Sequence, residues 1–131
     1  MEEYAKYSKN SGRDADAVKQ YAKLLDEAGK PKEAEAELDR LNFVNPMDAD
    51  LHEKLGALYL KTNDAPLAVR EFEALVALHP IDQAGSHYNL AKAFNAEGQK
   101  DKAREEALNA LEAAPNFKPA QRLLLELNVK Q

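Results

Sequence analysis

The stretch MDADLHEKLGALYLKTNDAPLAVREFEALVALHP, Met47–Pro80, decides how this chain folds. Inside it Leu55, Gly56 and Tyr59 take the offsets L-G-x2-Y, Ala68 and Phe72 follow as A-x3-F, and Pro80 closes the block. The small residues Gly56 and Ala68, twelve apart, let two antiparallel helices approach closely, while Tyr59 and Phe72 fill the seam between them. Pro80 ends the second helix, since proline has no N–H to donate and its ring clashes with the preceding turn. Between the helices Asn63 tolerates the left-handed conformation of a turn. Asp64 or Ala65 is the expected N-cap, with Pro66 in the first turn.

Working outward, the same pattern recurs on both sides. Upstream, Val18, Tyr21, Ala22 and Leu25 follow helical spacing, Gly29 closes that helix, and Pro31 opens a second carrying Ala34, Leu38 and Leu41. Ala22, Leu25, Ala34, Leu38 and Pro46 match Gly56, Tyr59, Ala68, Phe72 and Pro80 at one shift of 34 residues. Downstream, Leu90, Ala91, Phe94, Gly98, Ala103, Ala107, Ala110 and Pro115 repeat the block at a shift of 35. The extra residue lies between Pro80 and the next helix, among Ile81 to Ser86, where a surface turn absorbs an insertion at little cost. The repeats therefore span 15–48, 49–82 and 84–117.

A last helix over 118–130 places Ala120, Leu123, Leu124 and Leu127 on one face and covers the open end of the third repeat. Leu125 occupies the place of Gly56 and Ala91, where bulk obstructs a following helix, so this helix reads as a terminal cap. Read instead as a truncated fourth repeat, it leaves Leu125 and Val129 to face solvent or another copy of the chain, a candidate surface for homo-oligomerisation. Residues 1–14, polar and containing Gly12, read as a flexible lead-in or as the end of an upstream helix.

Composition narrows the function. With 131 residues and 44% apolar side chains, the chain can build one domain or a short repeat array. Its 23 acidic residues against 18 basic ones give a formal charge of -5, which argues against a general nucleic-acid surface. There is no cysteine, so disulfides, thiolate metal sites and cysteine nucleophiles are excluded together. No apolar run is long enough to insert in a membrane, and Met1-Glu2-Glu3-Tyr4 is acidic where a signal peptide is basic and then apolar. A soluble protein is expected, with the cytoplasm as the default compartment.

Over roughly 15–130 the repeated pattern resembles the tetratricopeptide repeat family. Departures are confined to a few places: Val18, His52 and His87 stand at repeat position 4, where an aromatic ring is usual, and Leu25 stands at position 11. The resemblance implies an all-α, right-handed superhelical stack of antiparallel helix hairpins, about seven helices in all. It also implies that the first helix of each repeat lines a concave groove that holds a peptide or protein segment of a partner, with no cofactor. Transferred residue by residue, the groove positions include Lys19, Lys23 and Asp26 in the first repeat and Glu53, Ala57, Leu60 and Lys61 in the second. In the third they include Tyr88, Lys92 and Asn95, with Lys54 and Asn89 flanking the groove. The clamp by which one subgroup of the family grips chaperone carboxylates is mostly missing, since Lys23, Lys54, Gly85 and Asn89 stand at four of its five places. An alternative role is a terminal module of a larger protein, an enzyme included, used for self-association or positioning.

No catalytic or metal site is expected. His52 and His87 occupy the same repeat position and so sit about one repeat apart, and His79 precedes Pro80 at a helix end. Glu33, Glu35 and Glu37, like Glu105 and Glu106, point apart around a helix and are expected on a convex, solvated face, with Glu71 and Glu73 repeating the arrangement. Ser86 has no G-x-S-x-G frame, and the glycines stand singly at turns or packing points. Tyr88 is the one aromatic assigned outward.

Overall fold

A computed structural model describes residues 12–129. Seven helices make up the described chain: α1 (Gly12–Glu27), α2 (Pro31–Val44), α3 (Ala49–Lys61), α4 (Ala65–Ala77), α5 (Gln83–Ala96), α6 (Lys100–Ala113) and α7 (Lys118–Val129). The first helix thus begins inside the stretch read as a lead-in, and residues 1–11 lie outside the described residues. Every helix packs on the next in sequence, and the first helices of successive repeats also meet, α3 with α5 and α5 with α7. Three hairpins and a final helix therefore stack in one direction, with one continuous core running through them.

The hairpin turns share one physical solution. Gly29, Asn63 and Gly98 all have positive φ, at 80°, 63° and 86°. In each, the following N–H reaches back five residues, Lys30 to Leu25 O, Asp64 to Tyr59 O and Gln99 to Phe94 O, which satisfies carbonyls the ending helix leaves open. Glycine adopts this conformation freely, and asparagine is among the residues that tolerate it. Pro31 and Pro66 follow in the first turns of α2 and α4, and Asp64 is the residue before α4. The turns that lead into α3 and α5 close on aspartates, where Asp48 accepts from Leu51 N–H and Asp82 from Gly85 N–H.

These caps locate the extra residue of the third repeat. Asp82 keeps the role of Asp48 at a shift of 34, whereas His87 stands to His52 at 35. The insertion is therefore taken up in the first turn of α5, which is one residue longer than α3, and not in the surface turn before it. An added helical residue gains a hydrogen bond that a lengthened loop would not.

The seam of the central hairpin is closest at Gly56. A methyl group there would stand 2.5 Å from Cε1 and Cζ of Phe72, so the buried ring occupies the space a side chain would need. The equivalent pairs are Ala22 with Leu38 and Ala91 with Ala107, in which a smaller residue on the second helix accompanies a methyl on the first. On α7, Ala120, Leu123 and Leu127 are buried while Leu125 is 65% exposed, as expected of a helix that closes the stack on one side only.

Candidate functional site

The second helices correct one expectation. Glu35 and Glu71 do not lie on a solvated face: both are buried, Glu71 with 1% of its surface exposed, and Glu106 is half-buried. The reason is polar partnership across helices. His52 Nδ1 donates to Glu71 Oε1 at 2.8 Å, Asn42 Nδ2 donates to the same oxygen, and Arg70 Nε donates to Oε2 at 2.8 Å. Glu35 accepts from Thr62 Oγ1 at the end of α3. His87 Nδ1 and Glu106 Oε1 form the same pair one repeat later, 2.7 Å apart. A buried carboxylate is tolerated when donors surround it, and Glu71, the most buried of the three, has three of them.

The same arrangement accounts for His52. His52 Nε2 meets the Pro46 carbonyl at 2.7 Å, so both ring nitrogens face acceptors, and the ring ties the inter-repeat turn to α4. Among the described residues there is no group of three or more His, Asp or Glu able to hold a metal ion.

Nine of the twelve positions expected in a groove line two open cavities between successive first helices. The first, about 470 Å³, lies between α1 and α3 and brings together Lys19, Lys23, Asp26, Lys54, Ala57 and Lys61, with Gln20 and Leu58 beside them. The second, about 460 Å³, lies between α5 and α7 and contains Tyr88, Lys92 and Asn95. Glu53, Leu60 and Asn89 line neither of the two.

The lysines of the first cavity are not equivalent. Lys19 Nζ sits 2.8 Å from Asp48 and 3.0 Å from Asp50, Lys61 sits 2.7 Å from Asp26, and Lys54 sits 3.5 Å from Asp50. Burial by itself would push the Lys19 amine down, but hydrogen bonds and charge from Asp48 and Asp50 outweigh it and raise its pKa above the ordinary lysine value. Burial likewise works to raise the Asp48 carboxyl, and the bonds from Lys19 and Leu51 N–H overcome it, leaving that carboxyl below its ordinary value. Lys19 is therefore a brace between α1 and the cap of α3. Lys23 is exposed and has no ion pair among the described residues.

In the second cavity the Tyr88 ring is held on two sides. Phe117 meets it edge-on with centroids 5.6 Å apart, and Lys92 Nζ lies 4.9 Å from its centroid. Asn95 Oδ1 accepts from Lys100 Nζ. The other wall comes from α7, through Pro119, Arg122, Leu123 and Glu126, which the three-repeat reading did not place in the groove. A signal was present: Pro119, Arg122 and Glu126 stand 34 residues after Gly85, Tyr88 and Lys92, so the groove numbering runs on unbroken into the capping helix.

The fold defines the class first: an all-α solenoid of helix hairpins presenting a surface built from its first helices. The sequence profile of the tetratricopeptide repeat matches residues 20–80 and again 54–119, and the chain belongs to that family. No curated protein matches it significantly. Among solved structures, the first TPR of Spaghetti (RPAP3), bound to the HSP90 peptide SRMEEVD, is 18% identical with a TM-score of 0.80, over 92% of this chain and 94% of that one. The type III secretion chaperone SycD of Yersinia enterocolitica, in complex with a peptide of the translocator YopD, is 16% identical with a TM-score of 0.80, over 92% and 96%. MamA 41-end from Desulfovibrio magneticus RS-1 is 26% identical with a TM-score of 0.80, over 91% and 67%. Among the described residues no helix is long and apolar enough to cross a membrane.

Proposed function

We propose that this chain is a protein-interaction scaffold that holds a peptide or protein segment along the groove side of its first helices and carries out no chemistry of its own. The observation that carries the reading is the pair of open cavities between successive first helices, whose linings include nine of the twelve positions that the repeat pattern assigns to the groove. Two proteins of the same fold have been solved with peptides, one from HSP90 and one from YopD, which supports the same use of the surface here. The buried His52 and its carboxylate partner are used up in packing, which removes the best acid–base candidate.

The test is selection of peptides from a displayed library against the wild-type chain and against Lys23→Glu and Lys92→Glu. Both side chains are exposed, so helicity and melting should be unchanged while capture weakens. Lys19 is a poor choice because reversing it breaks the Asp48 and Asp50 brace. Binding that ignores both changes but responds to substitution of exposed second-helix glutamates such as Glu73 would refute the groove assignment.

A second reading, self-association through the terminal helix, is favoured by the exposed Leu125 on α7 and the exposed Leu108 on the neighbouring α6. Light scattering at high concentration, compared with Leu125→Lys, measures it. A monomeric mass would dismiss it.

A further inference from the structure

We infer that α7 is a working wall of the binding surface as well as a cap, and that with α5 it forms a subsite for a partner segment in which an aliphatic or aromatic side chain is flanked by carboxylates. The inference rests on the groove reading and adds to it which chemistry is selected and where.

Three observations converge. The floor of the α5–α7 cavity is apolar and fixed, because Tyr88 is braced by Phe117 and stands beside Pro119 and Leu123. A partner's apolar side chain entering there meets a preformed surface and gives up little additional order. The mouth, by contrast, is rich in donors. Lys92 and Arg122 each lack an ion pair among the described residues, and Asn95 has its oxygen taken by Lys100, which leaves its amide hydrogens to donate. Glu126 is the single carboxylate of the lining. The third observation is register: Arg122 and Glu126 fall 34 residues after Tyr88 and Lys92, so α7 presents to this cavity the same helical face that α5 does.

Charge favours this cavity over its neighbour as the acid-reading site. In the α1–α3 cavity three of the four lysines are already met by Asp26, Asp48 or Asp50. A carboxylate arriving there has to compete with those acids, whereas Lys92, resting on the Tyr88 ring, and Arg122 meet no carboxylate among the described residues. The chain as a whole carries a formal -5, so a cationic mouth stands out against its background and draws an acidic segment to one place.

The experiment uses the full chain and three fluorescein-labelled peptides of equal length: Asp/Glu alternating with Leu/Phe, Lys alternating with Leu/Phe, and Asp/Glu alternating with Ser. The acidic–apolar peptide should bind by fluorescence anisotropy, and the other two should bind at least about tenfold more weakly. Arg122→Glu and Lys92→Glu should each weaken the acidic–apolar peptide by about tenfold or more, and added salt should weaken it further. Pro119, Leu123 and the helix backbone are untouched by these exposed substitutions, and unchanged circular dichroism confirms that the variants fold. Binding lost in Lys23→Glu but indifferent to Lys92 and Arg122 would overturn the α7 subsite while leaving the groove reading standing. Equal binding of the basic peptide would overturn the selection proposed here. Failure of all three peptides, or indifference to all three substitutions, would overturn both readings together.

Discussion

Replacing Gly56 by alanine should destabilise the protein, although alanine is the better helix former. In an exposed helix interior that exchange gains about 1 kcal/mol. Here the new methyl would lie 2.5 Å from two ring carbons of Phe72 and 2.9 Å from a third. Carbon contacts settle near ~3.5–4 Å, so the ring has to retreat by about 1 Å. Phe72 is among the largest fully buried side chains and is packed on all sides, so that retreat moves neighbours or bends a helix. Overpacking of this kind costs about 1–3 kcal/mol. Set against the propensity gain, the net loss should be about 0–2 kcal/mol. Phe72→Leu alone should also cost about 1–2 kcal/mol, through the cavity it leaves. The double variant rebuilds the Ala22 and Leu38 pair of the first repeat and should cost less than the sum of the two by at least about 1 kcal/mol. Urea unfolding followed by far-ultraviolet circular dichroism measures all four proteins. Strict additivity, or a Gly56→Ala chain more stable than wild type, would refute the view that the two residues share one volume.

Three further outcomes follow from the buried polar groups. Removing the acid in Glu71→Ala leaves His52, Asn42 and Arg70 pointing donors at each other and should cost about 3–5 kcal/mol, whereas Glu37→Ala, which loses only a partly exposed bond to Arg40, should stay within about 0.5 kcal/mol; melting curves compare them. The Asp48 carboxyl is held below its ordinary value of 3.8, so it stabilises the fold above that pH, and its contribution is lost as pH falls through the lower, folded value. Asp48→Asn should therefore flatten the acid limb of stability against pH in denaturant titrations, and an unchanged limb would sink the assignment. Burial pushes the Tyr59 hydroxyl up to about 12, so this residue favours the folded state until the unfolded chain begins to ionise near its ordinary 10.0 and opposes unfolding less as pH rises toward 12. Ultraviolet titration should show one late-ionising tyrosine that is missing from Tyr59→Phe.

Most of the fold was legible because its determinants are local. The turns are set by Gly29, Asn63 and Gly98, the helix starts by Pro31, Pro66 and the capping aspartates, and the hairpin contact by small residues twelve apart. Each acts over a few bonds or within one hairpin, where spacing along the chain is a fair guide to position in space. The extra residue of the third repeat lies between Ile81 and Ser86 as the spacing requires, in a helix and not in the expected turn. Spacing counts residues and does not say whether a helix or a loop takes up the surplus.

The acids were misjudged for a different reason. Helical periodicity says which face of its own helix a residue occupies, and it says nothing of donors on another helix that draw an acid inward. The chain does contain that information, in the comparison of its own repeats. Where position 4 is His52 or His87, a glutamate stands nineteen residues later and pairs with it, Glu71 and Glu106. Where position 4 is Val18, the glutamate at the same distance, Glu37, turns to Arg40 on its own helix. The glutamate is present in all three repeats, and its environment depends on what the first helix offers. The same criterion sorts the groove. Lys19 is answered by Asp48 and Asp50, and Lys61 by Asp26, so these lysines brace one first helix against the next. Lys23, Lys92 and Arg122 meet no such carboxylate among the described residues, although Lys92 rests on Tyr88. A charged side chain answered from another helix contributes to assembly of the stack, and one left unanswered at the rim of a cavity is where a partner's opposite charge has something to gain.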